Sequence, residues 1–113
     1  MKVKAEMQGD VAVLALKGKL MGGPETQAIH ESVKDCLQAG NKEVVINLAG
    51  VSWMNSTGLG ALMSGFTTIA NAGGAMKLAN VTDKVQSLLM ITQLLKIFEC
   101  YESVDEAVQS FTG

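Results

Sequence analysis

The apolar run Val44-Val45-Ile46-Asn47-Leu48 leads within a few residues into Asn55-Ser56-Thr57-Gly58-Leu59-Gly60, after which Leu59, Leu62, Met63, Phe66, Ile69 and Ala70 recur at helical spacing. A buried strand delivered into an amphipathic helix is the unit of a parallel sheet, because parallel neighbours need a crossover to join them. The junction also puts two hydroxyls at the mouth of a helix. Unpaired backbone amides and a partial positive charge there favour an anion, or a phosphate carried by a side chain.

The rest of the chain repeats the alternation. Val3, Ala5 and Met7 alternate with Lys4, Glu6 and Gln8, and Gly9-Asp10 turns the chain into Val11 to Lys17, which predicts an opening hairpin. The second strand is apolar on both faces and belongs inside the sheet, with the first nearer an edge. Gly22-Gly23-Pro24 ends extension, and Ile29, Val33, Cys36 and Leu37 draw one helical stripe that stops before Gly40. Gly73-Gly74 closes the next helix, and Met76 to Ala79 forms a short strand. Thr82-Asp83 caps a helix with Val85, Leu88 and Leu89 inward, and Ile97 to Tyr101 reads as a last strand. Ser103 to Glu106 has capping-box form ahead of Ala107, Val108 and Phe111. The expected order ββαβαβαβα is an α/β fold: a mixed, largely parallel sheet with an N-terminal antiparallel hairpin and about four helices, in one domain over residues 1–113.

With 113 residues and 48% apolar content, a single substantial core can form. No apolar stretch approaches the eighteen or so residues that span a bilayer, the N-terminus lacks the apolar region of a secretory signal, and Cys36 and Cys100 have no neighbour at CxxC spacing. A reducing cytoplasm is the expected setting, without membrane insertion. Nine lysines and no arginines stand against eleven acids, for a net charge of −2, and the lysines are scattered along the chain. With one Trp, one Tyr and three Phe, little is left for a nucleic-acid surface.

Enzyme motifs fail at the junction one by one. Gly58-Leu59-Gly60 begins like a dinucleotide fingerprint, but Met63 stands where the third glycine belongs; Gly60 to Gly65 runs into Phe66-Thr67-Thr68 without the lysine of a phosphate-binding loop. Met54 occupies the glycine position of a nucleophile elbow around both Ser52 and Ser56. His30, the only histidine, lies upstream of both serines and reads as a surface position, no metal-ligand spacing exists, and no cofactor is implied. Two readings of the junction stay open. Asn55 can simply cap the helix, with Ser56 and Thr57 ordinary first-turn residues and the glycines allowing close packing, or the hydroxyls can be targets of modification.

From end to end the chain resembles the STAS domain of anti-sigma factor antagonists. Val45 to Leu62 is similar to that family's strand, loop and Asp-Ser-Ser/Thr-Gly-Leu-Gly helix start; Leu16 to Leu20 is similar to its Gly-x-Leu-Asp turn, and Gly73 to Leu78 to its approach to a later strand. Two positions depart from the pattern: Asn55 replaces the aspartate, and Met21 stands where the turn ends in an acid.

The resemblance implies that Thr57 is the phosphorylated hydroxyl, with Ser56 the secondary candidate. It implies as partner an anti-sigma factor that is also a serine/threonine kinase of the ATP-binding, histidine-kinase-like fold, and a metal-dependent serine/threonine phosphatase to reset the site. Trp53, Met54, Asn55, Ser56, Gly58 and Leu59 are the expected partner contacts, with Gly58 letting a partner approach the hydroxyl. The alternative is a STAS scaffold subunit of a signalling or transporter assembly that is never phosphorylated. Neither reading makes the chain an enzyme.

Overall fold

In the computed structural model, which describes residues 2–112, the strands are β1 (Lys2–Gln8), β2 (Val11–Leu20), β3 (Glu43–Met54), β4 (Ala75–Ala79) and β5 (Cys100–Tyr101). The helices are α1 (Pro24–Gln38), α2 (Ser56–Asn71), α3 (Asp83–Ile91) and α4 (Val104–Thr112), with a 3₁₀ turn over Leu94–Lys96. The five strands lie side by side in chain order. β1 runs antiparallel to β2, and every later pair is parallel. The expected mixed sheet with an antiparallel hairpin at its start is therefore the fold observed.

Alternation along the strands divides the core in two. On one face Ala12, Leu14 and Leu16 of β2, Val44, Ile46 and Leu48 of β3, and Met76 and Leu78 of β4 pack under Ile29 and Val33 of α1, Leu59, Leu62 and Ile69 of α2, and Val85 and Leu89 of α3. On the other, Val11, Val13, Val45 and Ala79 meet Ala107 of α4, with Tyr101, Val104, Val108 and Phe111 around them. Buried Lys77 joins β4 to α4: its Nζ donates to Ser110 Oγ at 2.7 Å and stands 4.1 Å from the centre of the Phe111 ring. A buried ammonium needs such partners, because desolvation penalises an unpaired charge.

Four expectations change, the first being that β2 runs on from Lys17 to Leu20, through the segment read as similar to a turn. β3 continues past Leu48 to Met54, following β2 through two register shifts, so the segment read as a loop is strand. The last strand shrinks from Ile97–Tyr101 to Cys100–Tyr101, since Leu94–Lys96 forms a 3₁₀ turn after Gln93 adopts a left-handed conformation. Ala70 is exposed, one residue beyond the inward face of α2 that ends at buried Ile69.

Candidate functional site

The longer β3 carries the chain beyond the end of β4 and turns at Asn55 directly into α2. Asn55 is extended, and its Oδ1 accepts from the Gly58 amide at 2.9 Å, while its carbonyl accepts from Leu59 N at 2.9 Å. That cap satisfies one of the orphan donors of the helix; Ser56 and Thr57, the first two helical residues, have no intrahelical acceptor for theirs. Both hydroxyl residues are exposed, and the first turn of α2 contains no acidic side chain. The site is an accessible pair of hydroxyls in a locally positive backbone environment.

Asn55 has a second role that its replacement of an aspartate makes possible. Its Nδ2 donates to the Met21 carbonyl at 3.4 Å, tying the start of α2 to the segment between β2 and α1. An ionised aspartate has no proton to donate there. The two residues that depart from the family pattern thus touch each other.

The structure separates the expected partner contacts into two groups. Trp53 and Ser56 lie on the surface, as does the phosphorylation candidate Thr57, and Asn55 is half-buried, whereas Met54, Gly58 and Leu59 are buried. Gly58 cannot offer a partner close access, because it is already occupied: a β-carbon there would stand 2.6 Å from the Leu20 carbonyl carbon and overlap its oxygen. Its lack of a side chain lets α2 settle on the backbone of β2. Gly60, exposed and with open space where its β-carbon would be, is the bare stretch of helix near the hydroxyls.

Trp53 is 43% exposed, and the ammonium of Lys84 lies 4.2 Å from the centre of its ring. Together with Leu88 and Ile91 they line a groove of about 410 Å³ between the end of β3 and α3. Sequence reasoning missed Lys84 and Ile91 as neighbours of the junction. Ile91 carried a faint signal, as a large apolar side chain on a short helix whose inward stripe was already filled; it is 79% exposed. Lys84 carried none.

His30 is half-buried on α1, and no hydrogen bond joins it to Ser56 or Thr57. Among the described residues, no group of three His, Cys, Asp or Glu side chains is placed to hold a metal ion. None of the described helices is long and apolar enough to cross a membrane.

Comparison with known proteins bears on the family and the fold. The STAS domain family model matches residues 2–107. The anti-sigma-B factor antagonist of Bacillus subtilis is 36% identical over 64 residues, 57% of this chain and 59% of that one. Among solved structures, an anti-sigma factor antagonist from Mycobacterium paratuberculosis superposes with a TM-score of 0.83 at 19% identity, covering 99% of this chain and 94% of the other. The Bacillus cell fate determinant SpoIIAA matches in its phosphorylated form with a TM-score of 0.75 at 18% identity, over 97% of this chain and 99% of its own. Its unphosphorylated form gives 0.72 at 17% identity, over 99% of each chain. At these identities the structural likeness speaks for the fold alone.

Proposed function

The chain belongs to the STAS domain family, and on that premise we propose that it is an anti-sigma factor antagonist acting as a phospho-regulated binding module. Unmodified, the exposed start of α2 and the surface around Trp53 engage an anti-sigma factor that is also a serine/threonine kinase; phosphorylation of Thr57 releases it, and a metal-dependent phosphatase restores it. Ser56 is the secondary site. The observation that carries this reading is the exposure of Thr57 in the first turn of a helix with no acidic side chain beside it.

Phosphorylation adds about 1.5 to 2 negative charges. Within the domain the anion sits at the positive end of α2, where the helix favours it by about 0.3–1 kcal/mol, so the fold tolerates it. Across an interface the same anion meets a partner surface matched to a neutral hydroxyl. Each 1.4 kcal/mol or so lost there is tenfold in affinity, and about 3 kcal/mol weakens binding more than a hundredfold. The protein acts by being bound and released, and performs no chemistry of its own.

The test pairs two variants. Thr57→Ala binds the anti-sigma factor as the wild type does and resists release by ATP; Thr57→Glu binds more weakly yet melts at nearly the same temperature. Equal affinity of the two variants would falsify the switch.

One observation favours the scaffold reading, in which the same surface binds without ever being modified. Asn55 and Met21 meet through a neutral amide and carbonyl where the family pattern has acids. Incubation with ATP and the cognate kinase, followed by mass spectrometry, separates the two: phosphate on Thr57 supports the switch, and its absence while binding persists supports the scaffold.

A further inference from the structure

Lysines that are scattered in sequence converge in space. Val3 faces the core under α1 to α3 and is paired with Leu16, so alternation turns Lys2 and Lys4 of β1, and Lys17 and Lys19 of β2, to the opposite face of the sheet. All four are exposed. Lys2 and Lys17 are direct cross-strand partners. α4 covers this face only at its other end, over Val11, Val13, Val45 and Ala79. The end carrying the lysines is open sheet.

No member of the group is in an ion pair or hydrogen bond among the described residues, where the one salt bridge joins Lys77 to Glu99. On β1 itself the acid that shares this face is Glu6, one pleat beyond Lys4 and about 7 Å along the strand. Like charges placed directly opposite each other across two strands are destabilising. Lysine on edge strand β1 has a general use in discouraging sheet-to-sheet aggregation, but Lys17 is paired on both sides, with Lys2 and with Gly50, where that use does not apply. Four of the nine lysines of a chain with net charge −2 are thus concentrated on one uncovered surface.

We propose that this face docks an acidic segment of a protein partner, at a site that borders the Trp53 surface through Lys19 and extends away from it across β1 and β2. Charge complementarity selects the occupant. The surface offers ammonium groups and a flat backbone between them, including Gly50 opposite Lys17. It has no arginine forks for bidentate phosphate recognition, and the single exposed ring at its border, Trp53 opposite Lys19, is no series of rings for base stacking. Carboxylates on an extended segment match it, and the attraction accelerates encounter as well as strengthening the complex.

The experiment titrates isotope-labelled protein with an Asp/Glu-only dodecapeptide and follows backbone amide shifts, with vesicles of phosphatidylserine and phosphatidylcholine as a parallel arm. Shifts confined to residues 2–6, 15–19 and 49–51 are expected, with roughly tenfold weaker binding at high salt. Replacing Lys2, Lys17 and Lys19 by Gln should cut peptide affinity by about tenfold or more, at roughly a factor of several per charge, without lowering the melting temperature. The same replacement of exposed Lys34, Lys42 and Lys96, which removes equal charge elsewhere, should leave affinity within about twofold. Should the triple variant not fold, single Lys17→Gln is read in its place. Absence of localised shifts, equal weakening by the control triple, or binding to vesicles without binding to the peptide each overturns the proposal.

Discussion

Gly58 of α2 lies directly on the backbone of Leu20 in β2, with no room for a β-carbon between the helix and the strand. The obstacle is main chain held in a sheet, so it cannot swing aside as a flexible side chain would. Gly58→Ala should therefore destabilise the fold by about 3 kcal/mol, at the severe end of overpacking, and Gly58→Val by more. Urea denaturation measures both. A stable Gly58→Val protein would refute the close approach of α2 to β2.

Gly60 makes the opposite case two residues on. A β-carbon there meets nothing, and glycine within a helix costs about 0.5–1 kcal/mol relative to alanine. Gly60→Ala should raise stability by that amount. Its methyl group would project near the hydroxyls, so affinity for the anti-sigma factor should fall while the melting temperature rises. Calorimetry and a binding assay on the same preparation check the two effects together.

Asn55 joins a helix cap to a loop contact, and the two can be separated by substitution. Asn55→Ala removes both and should cost about 1–2 kcal/mol. Asn55→Asp retains an acceptor for Gly58 N and gains a charge suited to the helix N-terminus, worth about 0.3–1 kcal/mol, but places a carboxylate against the Met21 carbonyl. Because the lost bond is long at 3.4 Å, the opposing terms should leave the change within about 0.5 kcal/mol. Thermal melts of the three proteins rank them.

Cys36 is buried on α1, and its thiol is held above the ordinary range, first by desolvation and then by the neighbouring Asp35 carboxylate. The folded state thus keeps its proton at a pH where the unfolded chain releases it. The stability due to the neutral thiol is complete below the ordinary thiol pKa and is lost as pH rises through the folded value. Alkaline destabilisation should shrink in Cys36→Ser when each protein is referred to its own stability at neutral pH. Native iodoacetamide labelling should reach exposed Cys100 well before Cys36.

The element order was legible because each helix and strand carries its own period and punctuation: Pro24 opens α1, Thr82 and Ser103 accept from the amides of Val85 and Glu106, and Gly40 and Gly73 take positive φ after their helices. What escaped depended on pairing between distant segments. β3 hides its length because its register shifts against β2 interrupt the alternation by which a strand is recognised. Ile97 to Tyr101 looks like five residues of strand, but Phe98 is committed to the core, its ring 5.2 Å from that of Phe66 in an edge-on contact. Gly58 and Gly60 are indistinguishable in a linear reading; only the position of Leu20 gives them opposite roles. The hydroxyls could be placed at a helix start from local sequence, whereas Lys84 and the lysine face needed the folded sheet.

Val11 and Val13, near the beginning of the chain, are covered by a helix that starts at Val104. During synthesis each strand can add to the margin left by its predecessor, but these two valines must wait, wetted, until almost a hundred further residues have emerged. Closure of that side is thus a late, long-range event, and a nascent or clipped polypeptide lacking α4 would present a bare apolar sheet to whatever chaperone or protease reached it first.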